Sequence, residues 1–421
     1  MNVYAFVTPI VVLLLVLEII YSAKTKNGKY PFQDTVTNLG TGIGNQCINL
    51  AVAFFVYKWY GWLYELAPIQ IPITWYTLIL LLLLQDFVFY WFHRIGHSVN
   101  IFWAAHMAHH SSEEMNLSVG IRASFTQRLF QFLFFDWILV VVGFSPESVY
   151  AMAAIHLLLA YWHHTAVINK MGWFEKFFVT PSHHRVHHGV NPQYIDKNYS
   201  EFLIIWDKWF GSYEEEIEEV CYGVTHPPRT WNPIHINFQF WAQLWNDAKA
   251  TDYWWDKIRI WFMPVGWRPR DLEAYPNNGR IGYNKEEQVK YESNPMANSK
   301  NYLISQVAVG VAFLYFTINL QLPLLYWHRI LLSVGIFGMI ISWGGILESK
   351  SWASPIEILR LLFMAISAIF VLDFTGISSY ENWSTIIILI TAGLSIVYYS
   401  VAVGKKSEKK YIRQTSKQTK P

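Results

Sequence analysis

The sequence predicts an all-α integral membrane protein, a multi-span helical bundle, and three observations carry that reading. The 421 residues are 53% hydrophobic and only 15% charged, against about 25% charged in an ordinary soluble domain. Aromatic residues reach 18%, with 21 Trp, 25 Tyr and 28 Phe, and amphipathic rings are favoured where a membrane meets water. About nine stretches approach the length and apolarity needed to cross roughly 30 Å of hydrocarbon: 4–22, 45–64, 72–92, 125–143, 148–167, 302–320, 323–345, 355–372 and 384–404.

The first stretch has no basic residue before Tyr4 and no small-residue cleavage site, so it reads as an uncleaved anchor. Gly40-Thr41-Gly42-Ile43-Gly44 precedes the second. No strand comes before it, so a flexible turn leading into the span is expected rather than a nucleotide loop. The fourth and fifth stretches are interrupted by Asp136, His156 and the short connection 144–147. Either they cross, or they form a hairpin that goes only partway.

Orientation follows from Lys and Arg in short loops. Lys24, Lys26 and Lys29 follow the first span, and Lys405, Lys406, Lys409, Lys410, Arg413, Lys417 and Lys420 crowd the tail. The loops 65–71, 144–147, 321–322 and 373–383 contain neither Lys nor Arg. With nine spans this places the N-terminus outside and the basic loops and tail in the cytosol. Lys58 and Arg329, near outer ends of spans, snorkel. The cytosolic side then receives 93–124, 168–300 and the tail. The acidic run Glu214–Glu219 reads as solvated surface, and 253–267, which mixes Trp and Tyr with Lys257 and Arg259, as a segment on the membrane surface.

A net charge of +2 excludes a disordered polyelectrolyte and argues against a nucleic-acid partner. Two cysteines, Cys47 and Cys221, make neither a disulfide scaffold nor a zinc ribbon.

Of 15 histidines, twelve fall between His93 and His188. His93 and His97 form an HxxxH box. His106, His109 and His110 form an HxxHH box, and His184, His187 and His188 form another. Spacings of three and four put side chains on one helical face. Adjacent histidines diverge by about 100° on a helix, so a doublet cannot serve one ion. A pair of neighbouring ions resolves this, each HxxHH box feeding both. At least eight imidazoles exceed the four ligands of a structural zinc site. Imidazole suits Zn, Cu, Fe and Ni, and the spacing does not choose between two irons and two zincs. The lone residues His156, His226, His235 and His328 read as core or surface histidines, with His163 and His183 intermediate.

These boxes resemble the fatty acid hydroxylase superfamily, the sterol desaturase-like membrane di-iron oxygenases. The match runs from about Asp86 to Gly223 and includes Asp86–Arg94, the two HxxHH boxes, His164-Thr165, Asn198-Tyr199 and Ile204–Gly211. Within it the sequence is most similar to the alkylglycerol monooxygenase branch, through His109-His110-Ser111-Ser112-Glu113-Glu114-Met115-Asn116-Leu117, Pro264–Pro269 and the hydrophobic block after 300. Ser98 stands where that branch has an acidic residue, and Val265 interrupts a Pro-Gly-Trp pattern.

The resemblance implies two iron ions held by His93, His97, His106, His109, His110, His164, His184, His187 and His188, with His183 as a substitute or supporting group. It implies O₂-dependent hydroxylation of a lipid at the carbon beside an ether oxygen, with electrons from tetrahydrobiopterin or a redox protein. It also implies a location in a bacterial inner membrane or the endoplasmic reticulum, the active site facing the cytosol. The chain then divides into N-terminal spans (1–70), a di-iron catalytic domain (71–225), a Trp-rich interfacial segment (226–300), C-terminal spans (301–404) and a basic tail (405–421).

Asp86, seven residues before His93, is expected either to orient a ligand imidazole or to form a salt bridge with Arg94 or another interface cation. Glu113 is expected to act on the substrate or behind a ligand, and Glu114 and Asn116 to share that role, contact headgroups or cap a helix. Sterol or fatty-acyl hydroxylases and desaturases share the metal boxes. A metal-ion transporter would place ionisable residues mid-span in several helices, and a b-type cytochrome would need histidine pairs within the bilayer.

Overall fold

The computed structural model describes residues 3–319, 326–374 and 382–404. The chain is helical, with no strand among the described residues. In order the helices are α1 (Val3–Thr25), α2 (Phe32–Glu65), α3 (Trp75–Ser98), α4 (Asn100–Ala104), α5 (Met107–His110), α6 (Leu117–Ile121), α7 (Gln127–Gln131), α8 (Trp137–Val142) and α9 (Pro146–Tyr161). Then come α10 (Pro181–His187), α11 (Ile205–Phe210), α12 (Pro233–Ala250), α13 (Trp254–Arg259), α14 (Ser299–Asn319), α15 (Tyr326–Leu347), α16 (Ala353–Phe374) and α17 (Asn382–Tyr398).

Among the described residues five helices are long and apolar enough to cross a membrane: Val7–Thr25, Phe32–Glu65, Trp75–Ser98, Ile330–Leu347 and Ala353–Val371. The count of nine is not confirmed, and at the fourth and fifth stretches the structure has the hairpin rather than two full crossings. The stretch 125–143 is broken into α7, a π-helical turn at Phe132–Asp136 and α8, and α9 has only 16 residues. The cause is polar: Asp136 is fully buried in the turn and accepts hydrogen bonds from Gln85 and Gln131. Ser145 caps α9 and Pro146 occupies its first turn, fixing the hairpin's tip. The tail 405–421 and most of the short connections expected at 321–322 and 373–383 lie outside the described residues.

The second span also differs. Instead of starting at 45 the helix runs 34 residues from Phe32, roughly 51 Å at 1.5 Å per residue. The glycine run therefore lies inside α2 and is not a flexible turn. Its glycines permit close approach. A Cβ on Gly42 would lie 2.4 Å from Ile121, and one on Gly44 would lie 2.4 Å from Phe125 and 2.9 Å from Ile340. On this face α2 shares a core with the C-terminal helices, built from Ile43, Cys47, Phe125, Tyr302, Ile340 and Trp343. Further along, Val56 and Tyr60 of α2 pack with Leu81 and Val88 of α3 and with Leu139 and Val149 of the hairpin. α2 thus spans both cores, and α3 carries the chain to the histidines.

Gly42→Ala is expected to destabilise the protein by about 1–3 kcal/mol, because its methyl has no room. Gly61→Ala, with nothing within 4 Å of the new Cβ, should be neutral or stabilising by up to about 1 kcal/mol. Thermal melts of both variants in detergent check the contrast, and equal melting temperatures would refute the close-packing account.

Candidate metal centre

Nine buried histidines converge in two groups. One comprises His93, His97, His106, His110 and His187; the other comprises His109, His164, His184 and His188. Within each group one ring nitrogen per residue lies within 4.8 Å of all the others. The helical spacings sort the members. His93 and His97 occupy the last two turns of α3. In the box spanning α5, His106 and His110 face one group while His109 faces the other. On and just after α10, His187 joins the first group while His184 and His188 join the second. Each doublet is divided between the groups, as a turn of about 100° per residue requires.

Four of the outward nitrogens are fastened to the backbone. Nδ1 donates to a carbonyl in His93 (Tyr199 O, 2.7 Å), His109 (Arg122 O, 2.9 Å), His187 (Lys197 O, 3.0 Å) and His164 (Ala160 O, 3.2 Å). A carbonyl only accepts, so in these rings Nδ1 carries the proton. The inward nitrogens meet one another: His93–His106 3.1 Å, His106–His110 3.0 Å, His110–His187 3.2 Å, His109–His164 3.3 Å, His164–His184 2.9 Å and His184–His188 3.1 Å, each Nε2 to Nε2.

Burial pushes the His109 imidazole down to about 4. It also holds His106, His110, His184, His187 and His188 well below the ordinary range, with neighbouring imidazoles adding to the effect. At neutral pH these rings are uncharged. His109 and His164 both spend their proton on a carbonyl, so a bare lone pair on each points at the other across 3.3 Å. That contact is repulsive unless a Lewis acid sits between them. Nitrogens bound to one cation at about 2.1 Å each lie roughly 3–3.4 Å apart, which matches the separations. The donor set therefore fits metal ions, and neutral imidazole suits iron as well as zinc.

The carbonyls are themselves held in place. Asp207 of α11 accepts from the backbone N–H of Tyr199 and Ser200, both at 2.8 Å, which sets Tyr199 O against His93. Asn198, in the left-handed region at φ 51°, donates to His183 O and Glu214 O. Behind His109, the fully buried Arg122 donates to Ala108 O, Ser111 Oγ and Asn38 Oδ1, with Asp34 3.6 Å away. Asp34 accepts from Ser112 and Asn38. Glu18 of α1 accepts from Leu117 N and from the hydroxyls of Tyr30 and Thr165, the last next to His164. Sequence reasoning missed this frame because its working groups are backbone carbonyls, which leave no residue-type signal. The ion pair of Arg122 with Asp34 spans 88 positions, and neither residue lies in a box.

Asp86 contacts neither a converging imidazole nor Arg94. It is fully buried and accepts from His156 Nε2 (2.8 Å), Trp206 Nε1 (2.8 Å) and the N–H groups of Phe202 and Leu203 (3.0 Å each). Seven residues place it on the His93 face but about 10.5 Å further along the axis, too far to reach that imidazole. Arg94 instead donates to Tyr90 OH and Phe210 O. Asp86 and Asp207 together pin the 199–207 segment against α3, and His156 is a core histidine tied to that clasp.

Glu113 is half-buried, and its carboxylate accepts from Tyr291 N (2.7 Å) rather than from an imidazole. Burial raises its pKa. Glu114 pairs with Lys290, and Asn116 caps α6 through Ser118 N. His163 and His183 belong to neither group. His226 packs on Tyr275, His235 is exposed, and His328 stacks on Phe370. A cavity of about 80 Å³ reaches the first group past His97, Trp103, Asp196 and Arg280. Asp196 pairs with Arg280 at 2.9 Å and lies 3.7 Å from His97 Nδ1.

Comparison with known proteins places this geometry in context. The fatty acid hydroxylase family profile matches residues 78–212, which contain all nine converging histidines. The chain is 36% identical over 369 residues to the alkylglycerol monooxygenase of Homo sapiens, covering 84% of this chain and 80% of that protein. Its counterpart in Danio rerio is 32% identical, covering 85% and 80%. The Xenopus tropicalis protein is 40% identical over 263 residues, covering 61% and 58%. No solved structure matches the chain.

The lowered imidazole pKa values give a pH dependence of definite sign. The unfolded chain binds protons near pH 6.5, whereas folded His109 does so only near 4. Between these values the unfolded state holds more protons, so stability falls as pH drops from 6.5 towards 4, by up to about 1.4 kcal/mol per unit for each such group. Chelator-stripped protein should therefore melt at progressively lower temperature at pH 6.5, 5.5 and 4.5, and unchanged melting would contradict the neutral assignment.

Proposed function

The chain belongs to the alkylglycerol monooxygenase family, and from that premise we propose that it cleaves the ether bond of O-alkylglycerols at a di-iron centre, with O₂ and a reduced pterin. His93, His97, His106, His110 and His187 hold one iron, and His109, His164, His184 and His188 hold the other. The observation that carries this reading is the division of the nine inward-facing imidazoles into two adjacent groups. A monooxygenase reaction balances: one oxygen atom enters the carbon beside the ether oxygen as a hydroxyl. The other leaves as water with two electrons and two protons from the donor. The hemiacetal then separates into an aldehyde and a glycerol. When bound, the irons and the pterin supply the oxygen activation and the electrons.

The chain's own residues set the conditions. The Nδ1–H bonds to Tyr199, Arg122 and Lys197 carbonyls fix each ring's tautomer and direction. Burial keeps bulk water from the nitrogens. The cavity beside His97 gives small polar molecules a path, with Asp196 and Arg280 at its wall. Glu113 lies beyond Gly223 from that cavity, its Cγ 3.6 Å from where a Cβ would stand, and serves as a proton-handling group near the path. The apolar helices carry the protein in the membrane, with the basic loops and the centre on the cytosolic side. A transporter would string its ionisable ligands along several spans, whereas seven of these nine histidines lie outside the candidate spans. A sterol or fatty-acyl substrate is less well supported than an alkylglycerol, given relatives of that name over four fifths of their length.

Purified protein from iron-replete cells should hold close to two irons per chain by elemental analysis. It should convert an alkylglycerol to an aldehyde only with O₂ and reduced pterin, read by mass spectrometry. Zinc alone, with no turnover after iron reconstitution, would overturn the oxidative reading. His187→Ala should lose metal and at least 10–100-fold in activity, and His328→Ala should keep both. Glu113→Gln should keep the metal and slow turnover.

A single cysteine at Glu215, 61% exposed, should react with a membrane-impermeant maleimide only after the cell is opened, Cys47 and Cys221 being buried. Labelling of intact cells would place the centre on the other side.

A further inference from the structure

Resting on the reading that the two histidine groups hold iron, we propose that Asp196 is a positioning residue acting on one iron alone: its carboxylate takes the Nδ1–H of His97, while Arg280 holds its other oxygen. The segment 196–199 runs behind the first group and presents an acceptor to three of its members. Lys197 O accepts from His187 Nδ1 at 3.0 Å and Tyr199 O from His93 Nδ1 at 2.7 Å. Asp196 Oδ1 stands 3.7 Å from His97 Nδ1. Two of these acceptors are neutral carbonyls and the third is a carboxylate. Of the nine converging imidazoles, His97 alone has a carboxylate within 4 Å among the described residues. In the second group His109 and His164 turn Nδ1 to carbonyls.

The tautomer of His97 follows from the other side of its ring. Nε2 faces His110 Nε2 at 3.2 Å, inside the group. A cation held there takes the Nε2 lone pair, so Nδ1 keeps the proton, on the side of Asp196. The separation of 3.7 Å is longer than a hydrogen bond. A bound cation withdraws electron density from the ring, which makes Nδ1–H a stronger donor and draws the carboxylate in. A hydrogen bond to a charged acceptor is roughly twice as strong as one to a carbonyl, and it raises the basicity of the metal-bound nitrogen. The iron of the first group therefore has the more basic ligand set, and the two irons differ.

Two restraints hold the carboxylate in place. Asp196 and Asn198 lie in the left-handed region at φ 61° and 51°, which Asp and Asn enter more readily than most side chains. The turn they make brings positions 196, 197 and 199 to bear on the same group. Arg280 Nη1 grips Asp196 Oδ2 at 2.9 Å, which leaves Oδ1 for the imidazole. His97, Asp196, Arg280 and Trp103 border the cavity of about 80 Å³, and the Trp103 ring packs on His97 at 5.0 Å. An ion pair that only tied Arg280 to this turn would need no imidazole beside it. The two roles make opposite demands on Arg280. A purely structural pair fails when either partner is removed, whereas a carboxylate acting on His97 is strengthened when its rival is taken away.

The test uses full-length protein loaded with Mössbauer-active iron in detergent. It is read by the Mössbauer spectrum of the fully reduced form and by the rate at which a competing chelator removes iron. Wild type should give two quadrupole doublets of equal area. Asp196→Asn keeps the side-chain shape and the left-handed backbone preference and removes the charge. It should shift one doublet, leave the other, and release one of its two irons about 10–100-fold faster. Arg280→Gln, at an exposed position, should release that iron about two- to fivefold more slowly than wild type. Should Asp196→Asn fail to fold, Arg280→Gln decides: slower release supports the assignment, and equal or faster release overturns it. One doublet from a wild type holding two irons, or unchanged spectra and release in folded Asp196→Asn, also overturns it while the di-iron reading stands. A wild type that takes up no iron, or one iron per chain, overturns that reading and this role with it.

Discussion

Everything near the centre depends on keeping nine imidazoles uncharged, dry and aimed inward. A buried imidazole with both nitrogens free could turn its proton to either side. Here the carbonyls of Tyr199, Arg122 and Lys197 take the Nδ1–H of His93, His109 and His187, which leaves lone pairs crowded against lone pairs. That crowding is unfavourable in the bare protein. It is sustained by packing further out: Asp207 on the Tyr199 turn, Asp86 on the following segment, and Arg122 with Asp34 behind the first HxxHH box. Each of these is a buried charged group whose hydrogen bonds go to backbone N–H or carbonyl groups or to polar side chains, so each is costly to remove and rigid while present.

The sequence made the histidines legible because helical periodicity governs them. Spacings of three and four, and the divergence of adjacent doublets, are properties of the α-helix and survive any tertiary context. At Asp86 periodicity gave the face but not the reach, and the aspartate holds Trp206 and His156. Sequence reasoning failed at Gly40–Gly44, where a glycine run read as looseness is a surface cut flat for Ile121, Phe125 and Ile340. Hydropathy located the apolar stretches, and Asp136 marked the one that breaks, but the glutamine partners that hold Asp136 in a π-turn, Gln85 and Gln131, gave no signal. Contacts between backbone carbonyls and imidazoles had no signature at all.

The family relationship and the geometry answer different questions. Relatives named alkylglycerol monooxygenase match over four fifths of their length, which points to the reaction. The matched hydroxylase segment ends at 212, yet Arg280, from well beyond it, stands at the cavity beside His97. The segment after 225 is therefore part of the architecture of the centre and not an appendage to it.

The two HxxHH boxes each supply both groups from a single short helical segment, α5 or α10. A substitution that rotates either segment by a few degrees displaces three imidazoles and disturbs both groups together. The two halves of the centre consequently have little freedom to diverge from each other. Adaptation of this scaffold to a new lipid is channelled into the surrounding walls, α7 and the 226–300 segment, where a residue can change without moving a single ring nitrogen.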